Sequence, residues 1–194
     1  MDGTVDLLTR RLRLRRLTRE DEAAVTAYRG DARGSRFLGH GPLTEGQYAS
    51  WFEERDAEWE LREPGHRRFY GVEVRATAAL VGDAVLVRSA DGQQGEIGMF
   101  LHPATSGLGY SLEAGGALLD VGFGSLGLHR IIGRAAADNR GSVHAMERLG
   151  LRREALFLQS ERRGETWIDS AVYAILADEW RRRRHAEMVF TPSE

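Results

Sequence analysis

The chain has 194 residues, of which 42% are hydrophobic and 29% charged, and its formal net charge is −2. This composition is ordinary for one globular domain with a substantial core, and the charge provides no basic field that would attract nucleic acid. Cysteine and lysine are absent, which excludes disulfides, cysteine-ligated zinc, a cysteine acyl-enzyme, a Schiff-base lysine and a Walker-A lysine.

Targeting and metal signals are also missing from the sequence. No apolar run is long enough to span a membrane and no signal peptide is visible, so we expect a cytoplasmic protein without a membrane partner. The six histidines form no pair at helical spacing, so we expect no metal site.

The first third of the chain predicts a strand, a helix, a loop and a second helix. Leucines alternate with arginines over residues 7–16, which indicates a half-buried strand with an arginine face. A capping pattern predicts a helix over residues 18–30, and three glycines indicate a loop over residues 31–42. A second helix is predicted over residues 44–63. Four aromatic residues fall on one of its faces: Tyr48, Trp51, Phe52 and Trp59.

The rest of the chain predicts mainly strands, with two helices among them. Two strands are expected over residues 69–75 and 79–88. Strand, helix, strand and helix then follow, over residues 96–103, 112–126, 128–135 and 139–150. A final pair of strands, over residues 152–162 and 167–177, is joined by a turn at Gly164. Residues 181–194 begin with four arginines and are interpreted as a basic tail.

A glycine-rich turn over residues 106–111 separates the strand that contains Glu96 from the helix that follows it. Such a turn directs free backbone N–H groups and the positive end of a helix dipole outward. This arrangement binds a phosphate or pyrophosphate without a cationic side chain. The turn therefore predicts a site for a phosphorylated ligand, although a tight turn without a ligand would show the same glycines.

Four short motifs occur in a fixed order between residues 96 and 150. They are Glu96-Ile97-Gly98 with Leu101-His102-Pro103, then Gly107-Leu108-Gly109-Tyr110, then residues 126–130 (LGLHR), then Asp138-Asn139 with Ser142 and Leu149-Gly150. In this order they resemble the GNAT superfamily of acyl-CoA-dependent N-acyltransferases, and most closely its RimJ/RimL-like branch. The resemblance covers residues 7–180. It implies an α/β fold in which a central, twisted, mixed sheet is flanked by about four helices.

The resemblance also implies an activity. We expect transfer of an acetyl group from acetyl-CoA to a primary amine, by direct attack of the amine and without a metal. The acceptor would be a protein N-terminus, an amino sugar or a small amine, and the protein a monomer or homodimer. Relatives usually carry Gln or Arg at the position of Ser106 and often a basic residue at that of Leu108. A longer acyl-CoA, an acyl-carrier protein or an aminoacyl-tRNA is therefore an alternative donor, and only a tRNA-borne group would involve nucleic acid. A non-catalytic acyl-CoA-binding module is the other alternative.

Site residues follow from the same resemblance. Glu96 matches the general base, or is a solvated or arginine-paired carboxylate; Ser142 matches a hydroxyl near the leaving sulfur, or is a first-turn helix serine. Asp169 would hold the substrate ammonium, or pairs with an arginine, and Asn139 is equally suited to cap a helix. The implied donor-binding residues are Phe100, Leu101, Ser106, Gly107, Leu108, Gly109, Tyr110, Ser111 and Asn139. The implied acceptor-binding residues are His40, Tyr48, Trp51, Trp167 and Asp169.

Overall fold

A computed structural model describes residues 6–38, 41–56, 61 and 63–189. Its strands are β1 (Leu7–Leu8), β2 (Leu12–Arg15), β3 (Arg67–Val74), β4 (Ala79–Arg88), β5 (Gln94–Leu101), β6 (Arg130–Ala136), β7 (Arg152–Arg163) and β8 (Thr166–Leu176). Its helices are α1 (Glu22–Arg29), α2 (Ala32–Ser35), α3 (Tyr48–Asp56), α4 (Tyr110–Asp120), α5 (Arg140–Leu149) and α6 (Ala177–Val189). A π-helical segment, Val121–Ser125, continues α4.

All eight strands form one sheet, in the order β1-β2-β3-β4-β5-β6-β8-β7. Every neighbouring pair is antiparallel except β5 and β6, which are parallel and are connected through α4. The predicted mixed α/β fold is therefore confirmed, with six helices in the described part of the chain where about four were expected. None of the described helices is long and apolar enough to cross a membrane.

Alternating strand residues divide the core between the two faces of the sheet. On one face, strand residues pack against buried side chains of α4, α5 and α6, among them Leu118, Met146 and Trp180. On the other, Phe100 packs with the buried aromatic residues of α1 and α3. Since successive strand side chains point to opposite faces, Ile97 and Phe100 of β5 contribute to different clusters.

The N-terminal segment differs from its prediction. The strand expected over residues 7–16 is a hairpin, in which β1 and β2 pair antiparallel with Leu7 opposite Leu14. Its turn is closed at Thr9, whose backbone N–H donates to the Leu12 carbonyl and whose hydroxyl accepts the Leu12 N–H. A threonine hydroxyl that hydrogen-bonds the backbone a few residues further on favours a turn over a continuous strand.

The structure also adds detail to three other predicted segments. The expected loop over residues 31–42 contains the short helix α2, whose first turn is capped by Asp31. The helix expected over residues 44–63 is described as α3 as far as Asp56, and Trp59 lies outside the described residues. Helix α6 runs across residue 180, so the four arginines of the basic tail lie on a helix, as expected for a solvated helix end, and the domain limit at residue 180 stays a prediction.

One buried ion pair joins α1 to the sheet. Two nitrogens of Arg29 each donate to a carboxylate oxygen of Asp83 over 2.6 Å, and the Tyr28 hydroxyl donates to the same carboxylate. Only 7% of the Arg29 side chain and 4% of that of Asp83 are exposed. Burial alone would lower the pKa of Arg29, but Asp83 raises it above its ordinary value. Arg29 therefore remains charged inside the second cluster.

We expect Asp83→Ala to lower the free energy of unfolding by about 3–5 kcal/mol, because it leaves a buried guanidinium without its counter-ion. The matched control is Glu53→Ala, which removes the carboxylate from the exposed Arg19–Glu53 pair. We expect that loss to cost less than about 1 kcal/mol. Urea unfolding of the two variants measures the difference, and equal costs would contradict a structural role for the buried pair.

Candidate active site

The two parallel strands separate at their carboxyl ends. Strands β5 and β6 pair only at Gln94 with Arg130, Gly95 with Ile131, and Glu96 with Ile132. Beyond these pairs, residues 97–101 and 133–136 continue as strands but form no ladder with each other in the described structure. The result is a gap in which the facing backbone N–H and C=O groups of the two strands form no ladder with each other. A crevice at the carboxyl ends of neighbouring strands is a common ligand site in α/β folds.

The glycine-rich turn lies at the end of β5. Gly107 and Gly109 have φ angles of 80° and 77°, a left-handed conformation that side chains disfavour. Gly109 occupies the cap position of α4 and offers no side-chain bond to the first turn of that helix. The N–H groups at the start of α4 therefore have no side-chain cap, and the positive end of the helix dipole lies beside them.

A second helix begins at the end of β6, on the same edge of the sheet. The side-chain oxygen of Asn139 accepts the Ser142 N–H over 3.2 Å and so caps α5. Both residues are partly buried. The cap predicted for Asn139 is thus present, and the two interpretations of Asn139 remain compatible because only its oxygen is used in the cap.

Glu96 lies at the point where β5 and β6 separate. Its side chain is 37% exposed, and its Oε2 atom accepts a hydrogen bond of 3.2 Å from Nε of Arg134, a residue of β6. This pairing agrees with the alternative of an arginine-paired carboxylate. An ion pair this exposed contributes little stability, so it does little to keep Arg134 on the Glu96 carboxylate.

The segment over residues 31–38 lies against the end of β5 and against the β7–β8 hairpin. Nη2 of Arg163 donates to the Phe37 carbonyl over 2.9 Å and connects the segment to the hairpin. Gly34 packs so closely on Phe100 that a Cβ atom there would lie 2.8 Å from the ring. Trp167 on β8 is 56% exposed, and the Asp169 carbonyl accepts the Ala137 N–H just before α5.

The other predicted acceptor residues are either buried, engaged in a hydrogen bond or outside the described residues. Tyr48 and Trp51 are buried in the second cluster, and the Tyr48 hydroxyl donates to the Thr18 carbonyl. Contact between these two rings and an acceptor would require the cluster to repack. The Asp169 carboxylate accepts the N–H of Gln159, so it holds the bulge of β7. His40 lies outside the described residues.

The predicted donor-binding residues all lie along β5, the turn and the start of the two helices. The Phe100 side chain is buried in the second cluster, so it can face a ligand in the gap only through its backbone. Leu101 packs against the first cluster, whereas Ser106, Gly107 and Leu108 are exposed. Tyr110 and Ser111 begin α4. The gap and the turn are thus adjacent parts of one surface.

Sequence reasoning missed two residues beside the turn, Arg11 and Glu113. Arg11 follows the turn of the N-terminal hairpin, and its side chain bonds both Glu113 and the Leu108 carbonyl. Burial favours the protonated form of Glu113, but hydrogen bonds from Thr9 and Arg11 outweigh it and lower the pKa. The contacts join residues about a hundred positions apart, and no local pattern predicts them.

A separate surface groove of about 450 Å³ follows the outer face of α4 towards α6. Its lining includes Leu112, Gly116 and Trp180 but none of the residues that border the gap. Asp120 accepts hydrogen bonds from Trp180 and Arg184 at one end of it. Among the described residues, no cluster of three or more His, Asp or Glu side chains could hold a metal ion.

Comparisons with known proteins agree with this geometry. Residues 11–152 match the family described as the acetyltransferase (GNAT) domain. The chain is 30% identical to the uncharacterised N-acetyltransferase YnaD of Bacillus subtilis (strain 168), over 90% of the chain and 98% of that protein. It is 28% identical to a GNAT-family acetyltransferase of known structure from Bacillus anthracis, with a TM-score of 0.80 over 90% of the chain and 99% of that protein.

A further solved structure shares the fold. It is a spermidine N-acetyltransferase from Vibrio cholerae in complex with CoA and spermine, which is 20% identical and has a TM-score of 0.74 over 89% of the chain and 99% of that protein. The family match and the relatives together lead to one conclusion: the chain belongs to the GNAT family and is an acyl-CoA-dependent N-acetyltransferase.

Proposed function

We propose that the protein transfers the acetyl group of acetyl-CoA directly to a primary amine, and that it belongs to the RimJ/RimL-like branch of its family. The observation that carries this proposal is the gap between β5 and β6, which opens beside two helix N-termini. The gap can accept an extended chain with amide groups, and the adjacent turn can accept phosphate. CoA combines both features.

The donor is proposed to lie along β5. Its pyrophosphate would bind the backbone N–H groups of residues 107–111, and its pantetheine arm would pair with the open edge of residues 97–101. Asn139 can donate its amide N–H to the same arm. The related spermidine N-acetyltransferase, whose structure contains CoA, supports the choice of donor. The thioester would then lie deep in the gap, between Glu96 and Ser142.

The chemistry requires one proton acceptor and one stabilised leaving group. Glu96, directly or through a water molecule, would take a proton from the acceptor ammonium. The free amine attacks the thioester carbonyl, a C–N bond forms, and the C–S bond breaks as the tetrahedral intermediate collapses. The Ser142 hydroxyl would donate a hydrogen bond to the departing sulfur, which leaves as a thiolate and then accepts the second proton, lost by the attacking nitrogen. With no cysteine in the chain, the acetyl group cannot pass through a cysteine acyl-enzyme.

The acceptor is proposed to approach from the side of residues 31–38 and the β7–β8 hairpin. Trp167 is exposed there and offers an apolar surface, while Asp169 provides its second carboxylate oxygen, since Oδ1 already accepts the Gln159 N–H. A small amine or the N-terminus of a peptide fits this combination of apolar surface and negative charge. The spermine bound to the related enzyme is a polyamine of this class.

A panel of acyl donors and amines tests the proposal. Acetyl-CoA should raise the melting temperature of the protein, because a ligand that binds only the folded state stabilises it. Free thiol should then appear only when a suitable primary amine is added. Stabilisation by a longer acyl-CoA but not by acetyl-CoA would instead assign another donor. Stabilisation by acetyl-CoA without thiol release for any amine would favour a binding module.

Gly109→Val should abolish donor binding, since a β-branched side chain disfavours the left-handed backbone and crowds the approach of phosphate. The matched control is Gly127→Val, where φ is also positive and a Cβ atom would meet nothing within 4 Å. Calorimetric titration with CoA should find parental affinity for the control. A folded Gly109→Val protein that binds CoA as the control does would contradict the assignment of the turn.

Glu96→Gln should reduce turnover by roughly 100-fold or more, because the amide keeps the shape of the side chain but cannot accept the proton. Donor affinity should be unchanged, and the remaining rate should rise with pH as more of the acceptor becomes free amine. Glu154→Gln is the control, since it removes another partly exposed strand carboxylate paired with an arginine. Parental turnover by Glu96→Gln at neutral pH would assign deprotonation to solvent or to another group.

A further inference from the structure

A positive charge lies beside the glycine-rich turn, although Ser106 and Leu108 of the turn carry none. Arg11, which precedes β2, extends its guanidinium group to the turn from a separate part of the chain. Nη1 donates to the Leu108 carbonyl over 2.9 Å. Nη2 lies 3.4 Å from the position that a Cβ atom of Gly109 would occupy. The guanidinium carbon is 4.9 Å from the centre of the Tyr110 ring, at the first residue of α4.

The position of Arg11 is fixed by three hydrogen bonds that converge on the carboxylate of Glu113. Nε of Arg11 donates to Oε2 of Glu113 over 2.7 Å, while the Arg11 backbone N–H donates to Oε1 of the same carboxylate. The Thr9 hydroxyl also donates to Oε1, so Glu113 holds the turn of the hairpin as well as the arginine. A guanidinium fixed by its own strand, by a helix and by the turn is already ordered before a ligand arrives.

The same side chain keeps hydrogen-bonding capacity on one side. A guanidinium has five N–H donors, and the contacts above use Nε and Nη1. Within the described residues, Nη2 makes no hydrogen bond, and 37% of the Arg11 side chain is exposed. The two N–H groups of Nη2 therefore lie beside Gly109 in the glycine-rich turn, where they can donate to a ligand.

We propose that Arg11 binds the pyrophosphate of the acyl donor and replaces the cation that the turn itself lacks. Its Nη2 group would donate to a phosphate oxygen, while Nη1 holds the Leu108 carbonyl so that the neighbouring N–H groups face the ligand. This inference rests on the proposed use of acyl-CoA. Charge-assisted bonds from arginine to phosphate are among the stronger hydrogen bonds in proteins.

Three ligands with successively fewer phosphates test the role of Arg11. CoA has a pyrophosphate and a 3′-phosphate, dephospho-CoA has the pyrophosphate alone, and pantetheine has neither phosphate group nor adenosine. Arg11→Gln, which removes the charge, should weaken binding of CoA and of dephospho-CoA by roughly the same factor, about 10- to 100-fold. The kcat/KM for acetyl-pantetheine should be unchanged. Arg13→Gln is the matched control, because it removes an arginine two positions away that pairs with Asp6 and Glu73.

A purely structural role predicts a different pattern. If Arg11 only braces the turn, Glu113→Gln, which loosens the brace but keeps the guanidinium charge, weakens CoA binding as much as Arg11→Gln does, and the proposal fails. A loss confined to CoA would assign the 3′-phosphate instead and would also overturn it. Arg11→Lys provides a second variant should the glutamine protein not fold. It should recover part of the CoA affinity in low salt and lose it as salt is added.

Failure of this inference is distinguishable from failure of the proposed function. If the parent protein binds neither CoA nor acetyl-CoA, the donor assignment itself is wrong. If the parent binds both and Arg11→Gln binds them equally well, only the role of Arg11 is wrong.

Discussion

The separation of β5 from β6 after Glu96 and Ile132 is the constraint on which the candidate site depends. Three residue pairs hold the strands together, and their carboxyl ends then lead to two different helices. Because the strands are parallel, both helices begin at the same edge of the sheet, and their positive ends face the same opening. Continuous pairing to Leu101 would close the gap and leave the glycine turn beside a closed sheet.

The two sides of the gap are stabilised in different ways. The donor side depends on backbone geometry, namely two left-handed glycines and two helix starts, with Arg11 and Glu113 fastening the N-terminal hairpin to the turn. The acceptor side depends on buried side chains. The backbone carbonyl of Arg29 accepts hydrogen bonds from Ser35 and Leu43, and so anchors the chain at both of these residues. The guanidinium group of Arg29 is in turn held by Asp83. Substitutions in that cluster should therefore affect acceptor binding through the position of the segment over residues 31–38.

Local patterns in the sequence were sufficient for most of the fold. Apolar runs predicted the strands after residue 66, whereas alternation over residues 7–16 did not reveal the hairpin. The cap at Asn139 predicted where α5 begins, and the helix predicted from residue 112 begins slightly earlier, at Tyr110. The helical face of Tyr48 and Trp51 was also visible, but periodicity does not distinguish a core face from a ligand-binding face. The contacts of Arg11 with Leu108 and of Glu96 with Arg134 join distant segments, so only the folded chain reveals them.

Hydrogen exchange in the presence of CoA is the most direct test of the central claim that the gap and the turn together hold the donor. Amide exchange should slow over residues 97–101, where the pantetheine arm would pair with β5, and over residues 107–111 at the start of α4. Exchange over β7 should be unchanged. Binding of CoA that slows exchange only along the outer groove lined by Leu112, Gly116 and Trp180, with no change in β5 or the turn, would contradict the account.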